Sequence, residues 1–177
     1  MLASTNYISL SDKMYNQIDT GIRTSYPNSC ILWIEEIHNE YLENEYNKQK
    51  DTITTLRSTE CKEILNVYHG TNEQSSAQII QHGFDPSYNK RSAYGLGSYF
   101  AKNASYSKDY APPASNEVSF MFICKILLGN QGKYGSGKAI DTTVHDSSTD
   151  AGQTIFVTPY KYGAIPQYLV AFHKNAK

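Results

Sequence analysis

The sequence has few cysteines, no long hydrophobic run and almost no excess of charge of either sign. Its three cysteines, Cys30, Cys61 and Cys124, lie far apart, and no Cys-x-x-Cys or Cys/His spacing indicates a zinc site or a disulfide framework. Apolar stretches such as 120–124 and 168–172 are far too short to span a bilayer. No basic segment followed by an apolar run opens the chain, so no signal peptide is indicated. These absences predict an intracellular protein, cytoplasmic or nuclear, without metal or membrane span.

The charge balance argues against a general attraction to polyanions. Sixteen Lys and Arg against 17 Asp and Glu give a formal net charge of -1, so nothing indicates general binding to nucleic acid or anionic membrane. At 177 residues the chain suits one domain with a core and a cleft. Its 15 tyrosines are many, and tyrosine offers both a flat apolar face and a hydroxyl to a heteroaromatic ligand.

Hydrophobic periodicity predicts an α+β fold, with a helical N-terminal part and a sheet-rich remainder. Helices are expected over 39–57 and 72–81, the second stopping at His82-Gly83. The segment 85–97 contains glycines and a proline among polar residues and is expected to be a loop. Apolar runs predict strands at 30–37, 64–69, 98–101, 118–127, 154–158 and 168–173.

Three segments contain the residues that indicate chemistry. The first is Val-Tyr-His-Gly-Thr at 67–71, where a predicted strand ends, and the second is Tyr-Gly-Leu-Gly-Ser-Tyr-Phe-Ala at 94–101. The third is Ala-Ser-Tyr-Ser-Lys-Asp-Tyr at 104–110, a predicted short helix on which Ser107 and Tyr110 share one face. Each segment alone is weak evidence, because His-Gly and Tyr-Gly-x-Gly are common in turns. Their order and spacing together are far more specific.

With these motifs in order, the sequence resembles the catalytic domain of the poly(ADP-ribose) polymerase family, among the diphtheria-toxin-like ADP-ribosyltransferases. The resemblance runs from about Ser25 to the C-terminus and is strongest over 67–110. It implies two packed antiparallel β-sheets that form an NAD cleft, with peripheral helices. One catalytic domain is expected over 1–177, with 1–24 as a peripheral N-terminal extension.

The resemblance also implies how nicotinamide is held, with NAD as co-substrate and no metal. Gly70 would bind the carboxamide through its backbone, where the missing side chain allows close approach, and Ser107 would bind the same amide through its hydroxyl. Tyr99 and Tyr110 would sandwich the ring. Cleavage of the nicotinamide–ribose bond develops positive charge at the ribose, and such contacts hold the leaving ring without adding a competing nucleophile.

Three further residues complete the site that the resemblance implies. His69 would hydrogen-bond the ribose hydroxyls and position the dinucleotide. Thr71, which follows the His-Gly pair, belongs to the same cofactor-binding set. The loop 85–97, with Tyr94, would cover the cofactor on the donor side.

The chain departs from the polymer-forming members at one position. Those members carry a glutamate on a late strand, where it binds the nicotinamide ribose and activates the growing chain's hydroxyl. This chain has no glutamate after Glu117, and Asp141, Asp146 and Asp150 are the acids of its last sixty residues, all in loop-like sequence. Elongation is therefore expected to fail, whereas single transfer remains open to an acceptor that brings its own carboxylate.

Two registers are open for the residue at the glutamate position. A strand at 153–157, then a loop ending at Pro166 and a terminal strand, resemble the mono-transferring members and place Ile155 there, in a triad with the histidine and tyrosine of the motifs. The other register reads Pro-Gln-Tyr-Leu-Val from 166 and places Gln167 there. The register with Ile155 is favoured because the loop and the terminal strand then both match those of the mono-transferring members.

The sequence therefore predicts an NAD-dependent mono-ADP-ribosyltransferase that modifies protein side chains, its own included. One alternative is a catalytically silent module that binds NAD or ADP-ribose, although the four principal site residues are present. Another is a transferase acting on nucleic-acid phosphate ends, for which clustered cations would be needed; the C-terminal lysines are scattered, at Lys133, Lys138, Lys161, Lys174 and Lys177. Fewer than about seventy residues precede His69, so no autoinhibitory helical domain is expected within this chain.

Overall fold

A computed structural model describes residues 3–89 and 92–174; Lys90 and Arg91 of the predicted covering loop, and Lys177, lie outside the described residues. Within these ranges the chain forms nine strands, β1 (Ser4–Tyr7), β2 (Cys30–His38), β3 (Glu63–Thr71), β4 (Ser98–Ala101), β5 (Ser119–Leu127), β6 (Gln131–Gly132), β7 (Ser147–Thr149), β8 (Ile155–Thr158) and β9 (Ala164–His173). Its four α-helices are α1 (Lys13–Ser25), α2 (Glu40–Arg57), α3 (Glu73–His82) and α4 (Ala104–Ser107), and 3-10 turns lie at Pro86–Tyr88 and Lys108–Tyr110.

The strands follow one hydrogen-bonded order, β1-β2-β9-β5-β3-β4-β8-β7-β6. The β6–β7 pair is parallel and the other pairs are antiparallel. A single residue pair, Tyr68 with Ala101, joins β3 to β4. The α+β class is confirmed, but the expected separation into two sheets is not, because this narrow link makes the described strands one mixed sheet.

Helices α2 and α3 form where the sequence predicts them, and an asparagine caps each one. Asn39 accepts a hydrogen bond from the Leu42 N–H at the start of α2, and Asn72 accepts one from the Ser75 N–H at the start of α3. Such caps satisfy backbone donors that the first turn leaves free. Gly83 ends α3 with a φ of 74°, a conformation that glycine adopts readily. Both helix predictions are confirmed within a residue or two.

The central strands are buried on both faces. On β5, Phe122 packs in a cluster with Phe84 and Phe100, whereas its neighbour Ile123 packs on the other face against Ile22 of α1. Successive strand residues point to opposite faces, so a near-continuous apolar strand such as β5 needs cover on both. No helix among the described residues is long and apolar enough to cross a membrane.

The segment 1–24, expected as a peripheral extension, contributes to this packing from residue 4 onward. Strand β1 pairs with β2 at the edge of the sheet. Helix α1 buries Ile18 and Ile22 in a cluster that includes Tyr68 and Phe172. Residues 4–25 therefore cover the face of the sheet on which Tyr68 lies.

Strand β9 begins earlier than the sequence predicts. It starts at Ala164, so the predicted loop ending at Pro166 is wrong for its last three residues. Pro166 pairs with Cys124 and Tyr168 pairs with Ile123, which leaves Gln167 as an extra residue in the ladder. Proline has no N–H to donate, and strands tolerate it at such bulges. The proline therefore interrupts the ladder without ending the strand.

Candidate active site

A cleft of about 790 Å³ is lined by residues of α3, β3, β4 and β8, together with α4 and the two 3-10 turns. Its size lies within the range of small-molecule sites, roughly 300–1,000 Å³. Seven predicted site residues line it: His69, Gly70, Thr71, Tyr99, Ser107, Tyr110 and Ile155. Neither Tyr94 nor Gln167 is among the described lining residues. The structure thus brings together residues from three separate motifs and from β8.

His69 is held as a neutral imidazole with one nitrogen free to accept. Strand β3 runs to Thr71, two residues past its predicted end, so His69 lies inside a strand. Its Nδ1 lies 2.8 Å from the Tyr99 carbonyl oxygen; because a carbonyl only accepts, Nδ1 carries the proton. Burial lowers the pKa of His69, although the bond to the Tyr99 carbonyl raises it in part. The neutral ring then offers the Nε2 lone pair to a hydroxyl donor.

Gly70 is required by the packing of the protein itself. A Cβ on Gly70 would overlap the carbonyl oxygen of Ser107, at the end of α4. The sequence explained this glycine by close approach of a ligand, whereas the structure adds a close approach of backbone to backbone. This contact brings α4 against β3 and sets the distance between Gly70 and Ser107 across the cleft wall.

Ser107 is buried, and its hydroxyl donates to the carbonyl oxygen of Tyr68 at 2.9 Å. A hydroxyl has one hydrogen and two lone pairs. Since the hydrogen is used, the oxygen is left as an acceptor for an N–H group in the cleft. The NH₂ of a carboxamide is such a donor, and the binding role of Ser107 stays a prediction.

Tyr99 uses its hydroxyl to bind the preceding loop. The oxygen accepts from the Tyr94 N–H at 2.9 Å and donates to the Gly95 carbonyl at 2.7 Å. Burial raises the pKa of Tyr99, so its phenol stays protonated. The Tyr94 side chain packs in a cluster with Ile155 and Val157. Tyr99 therefore presents its ring to the cleft while its hydroxyl fixes residues 94–95.

Tyr110 is paired with a tyrosine that sequence reasoning missed. The Tyr106 and Tyr110 hydroxyls lie 3.1 Å apart, and their ring centroids are 5.3 Å apart at 34°. This hydrogen bond, together with burial, raises the pKa of Tyr106 to about 12. Tyr106 lies on α4, which ends at Ser107, and Tyr110 lies on the 3-10 turn that follows. Both tyrosines nevertheless reach the cleft. The spacing of four residues between the two tyrosines is the sequence signal that could have identified this pair.

Ile155 lies at the start of β8, where its backbone is held on both sides. It pairs with Ala101; its N–H donates to Asp150 Oδ1 at 2.9 Å, and its carbonyl accepts from the Thr149 hydroxyl at 2.8 Å. Burial raises the pKa of Asp150, but hydrogen bonds from Ile155, Thr154 and Gly152 outweigh it and hold the pKa below its usual value. Asp150 is thus a carboxylate committed to the turn that positions Ile155.

The other two acidic residues of the last sixty also bind groups away from the cleft. Asp146 is fully buried and receives Arg57 through two bonds, at 2.9 and 3.0 Å. Asp141 accepts from the Thr143 hydroxyl and N–H. Among the described lining residues the one carboxylate is Asp85, on the opposite loop. No acidic side chain of the last strands therefore reaches the predicted reaction centre.

One face of α3 was missed altogether. The lining residues of this helix are Gln74, Ser75, Gln78, Ile79 and His82. Their spacing of one and four places them on a single stripe, but four of the five are polar, so hydrophobic periodicity gave no signal for this face. Tyr88, Asn89 and Lys161 also line the cleft, although sequence reasoning had counted Lys161 among scattered surface lysines. Among described residues no group of three or more His, Cys, Asp or Glu gathers to hold a metal ion.

Comparison with known proteins agrees with this geometry. The family model of the poly(ADP-ribose) polymerase catalytic domain matches residues 5–161. The chain is 31% identical over 179 residues to protein mono-ADP-ribosyltransferase PARP14 of Homo sapiens, covering 93% of this chain and 10% of that protein. It is also 31% identical over 154 residues to PARP10 of Mus musculus, another protein mono-ADP-ribosyltransferase, covering 79% and 16%.

A third relative has a different name. A probable poly [ADP-ribose] polymerase of Dictyostelium discoideum is 26% identical over 179 residues, which cover 97% of this chain and 51% of that protein. The chain thus spans about half the length, or less, of these relatives. The matched region contains all three motifs and most of the strands around the cleft. The chain belongs to the poly(ADP-ribose) polymerase catalytic-domain family.

Proposed function

We propose that this chain is a single NAD-dependent mono-ADP-ribosyltransferase catalytic domain, which transfers one ADP-ribose to a protein side chain and releases nicotinamide. The observation that carries the proposal is Ile155, which lines the cleft at the start of β8 where no late carboxylate reaches. The names of the PARP14 and PARP10 relatives support single transfer, whereas that of the Dictyostelium relative leaves polymer formation to be tested.

The donor would be bound by groups with matching hydrogen-bond character. The Gly70 backbone and the Ser107 oxygen would hold the carboxamide, and the Nε2 of His69 would accept from a ribose hydroxyl. Tyr99 and Tyr110 both line the cleft, and their rings would enclose nicotinamide. A fixed site of this kind lowers the barrier mainly by orientation, since its groups need little rearrangement during bond cleavage.

The acceptor would supply the missing acid–base group. Isoleucine neither takes a proton nor binds a ribose hydroxyl, so an ADP-ribose hydroxyl is not activated for chain growth. A glutamate or aspartate on the acceptor protein is already a nucleophile when ionised and needs no base. We therefore propose acidic protein side chains as acceptors, those of this chain included, and Tyr94 as part of the loop that covers NAD.

The test is incubation of the purified chain with labelled NAD, alone and with a protein mixture, followed by a denaturing gel. A sharp labelled band is expected, lost in His69→Ala and Tyr99→Ala and retained in His38→Ala, an exposed histidine on β2. A high-molecular-weight smear would show polymer synthesis and refute the argument from Ile155. No labelled protein, together with an NAD-induced thermal shift and no released nicotinamide, would indicate a silent binding module.

A further inference from the structure

A segment outside the cleft holds the last residues of the predicted covering loop. This segment is the connection between β6 and β7, residues 133–146, and none of it is among the described lining residues of the cleft. The Leu96 N–H donates to the Lys138 carbonyl oxygen at 2.8 Å. The Gly137 N–H donates to Ser92, at 2.8 Å to its hydroxyl oxygen and at 3.1 Å to its carbonyl oxygen. Hydrogen bonds therefore join the covering loop to the β6–β7 connection at two places.

Gly95 of the covering loop packs directly against the same connection. A Cβ on Gly95 would lie 3.1 Å from Tyr134 Cβ and 3.1 Å from Ile140 Cγ1, and the residue has a φ of 103°. Both the close approach and the positive φ favour glycine at this position. The β6–β7 connection therefore contacts the covering loop at the residue whose carbonyl accepts from the Tyr99 hydroxyl.

The Tyr134 side chain is itself held in place. Its hydroxyl oxygen accepts from the Asp141 N–H at 3.0 Å and lies 2.9 Å from His145 Nδ1. The Tyr134 and His145 rings meet edge to face with centroids 5.7 Å apart, and a Cβ on Gly132 would overlap both rings. His145 directly precedes Asp146, the fully buried carboxylate. Tyr134 therefore has a fixed position from which to hold Gly95.

This contact continues to the side chain that lines the cleft. Tyr134 packs in one apolar cluster with Tyr94, Tyr99 and Ile155. The Tyr99 hydroxyl bonds to both residues of the loop that Tyr134 adjoins, since it accepts from the Tyr94 N–H and donates to the Gly95 carbonyl. A shift of residues 94–95 would therefore turn or displace the Tyr99 ring. Reacting groups tolerate little misplacement, because orientation supplies much of the lowering of the barrier.

We propose that Tyr134 is a positioning residue for Tyr99. Tyr134 fixes Gly95, and Gly95 together with Tyr94 fixes the Tyr99 hydroxyl and with it the ring that stacks on nicotinamide. The inference rests on the proposed function, which gives the Tyr99 ring to nicotinamide. Tyr134 is not one of the residues that line the cleft, so it acts without touching NAD. The β6–β7 connection, rather than the ligand, then sets the position of residues 94–96.

The first test needs no ligand and measures amide hydrogen exchange at Tyr94 and Leu96 in the free chain by NMR. Both N–H groups are hydrogen-bonded. Tyr134→Ala should raise both exchange rates about tenfold, and Tyr134→Phe, which keeps the ring, should raise them less. The matched control is Tyr41→Phe, which loses a bond to the Tyr162 hydroxyl outside the cleft. This control should leave both exchange rates unchanged.

The second test measures NAD affinity by calorimetric titration in a double-mutant cycle with Tyr99→Phe. Tyr134→Ala should weaken NAD binding about fivefold in the wild-type background. In the Tyr99→Phe background the hydroxyl that Tyr134 acts through is absent, so the same change should weaken binding about twofold or less. A side chain that serves only the stability of the fold would weaken NAD binding by the same factor in both backgrounds. Tyr41→Phe should bind NAD as the wild type does.

The outcomes separate this inference from the proposed function. Unchanged exchange rates in Tyr134→Ala would overturn the inference, as would faster exchange with NAD affinity unchanged, or an equal loss of affinity in both backgrounds. A wild type that binds no NAD would refute the proposed function and with it the role of Tyr99, while the exchange rates show separately whether Tyr134 holds residues 94–96. Thermal melts confirm that the variants are folded. Should Tyr134→Ala not fold, Tyr134→Phe takes its place in both tests.

Discussion

The cleft has two ends, the motif end beside Gly70 and the loop end beside Asp85, and they differ in how their polar groups are used. At the motif end the His69 ring, the Tyr99 hydroxyl and the Ser107 hydroxyl each bond to backbone of another segment. At the loop end Tyr88 and Lys161 are exposed, and their side-chain heads contact solvent. The polar groups of the motif end are therefore fixed by the protein itself, whereas the two loop-end side chains face solvent. Residues that serve both packing and binding, as at the motif end, are easier to identify from the sequence than those that serve binding alone.

Gly70→Ala should have the largest effect, because it disrupts the packing of the motif end. The added Cβ would overlap backbone of Ser107, which cannot move without α4. We expect a loss of about 2–3 kcal/mol in the free energy of unfolding and no measurable nicotinamide release. Urea denaturation and a nicotinamide assay measure the two. Gly135→Ala, where a Cβ meets nothing within 4 Å, is the control; equal stability of the two variants would contradict the argument.

Acid should weaken NAD binding through His69. Burial lowers its pKa below the ordinary 6.5, so its contribution to stability is complete above that pH and is lost as pH falls from 6.5 toward the lowered pKa. Protonation also places a hydrogen on Nε2, which can then no longer accept from ribose. NAD affinity should therefore be flat above pH 6.5 and decline on the acid side of that value, as the pH approaches the lowered pKa. A flat profile over the whole acidic range in which thermal melts show the chain folded would show that no acceptor nitrogen is involved.

Tyr99→Phe should have a moderate effect confined to the loop that the hydroxyl holds. The ring stays in the cleft, but the bonds to Tyr94 and Gly95 are lost. At about 0.5–1.5 kcal/mol for each bond, the KM for NAD should rise about fivefold to tenfold with a smaller change in kcat. Tyr46→Phe removes a hydroxyl bonded to Glu63 outside the cleft. This control should lose stability without a change in the KM for NAD. A similar rise in KM in both variants would refute the role given to the Tyr99 hydroxyl.

Gln78→Ala should have the smallest effect. Gln78 is exposed on the cleft face of α3. A hydrogen bond from its amide to a ligand replaces one to water, so the net gain in binding free energy is small. We expect a change of about twofold or less in the KM for NAD and a stability within about 0.5 kcal/mol of wild type. A tenfold loss would mean that α3 is preorganised as the motif end is, and the contrast between the two ends would disappear.

Local rules were sufficient where neighbours in sequence decide the structure. Helical periodicity and the stop at Gly83 predicted α2 and α3, and the motif around His69 identified the site's first residues. Local rules failed where partners distant in sequence decide the structure. Strand β7 is polar throughout but fully buried, and Pro166 lies inside β9 because a bulge on the facing pair admits it. Lys161 looks like any surface lysine in the sequence, and only the structure shows that Tyr160 and Arg57, far apart in sequence, both bind Asp146 and hold its turn beside the cleft.

The position of β9 has a consequence for how the chain is made. It lies between β2 and β5 inside the sheet, although it is the last of the described strands in sequence. During synthesis β2 and β5 leave the ribosome without the strand that separates them, and their facing edges remain unpaired until residues 164–173 follow. Such pairing across a long stretch of chain is slow, and exposed strand edges associate readily with other chains. Nascent chains stalled before residue 164 should therefore be protease-sensitive and bind chaperones, and this sensitivity should disappear once β9 has emerged.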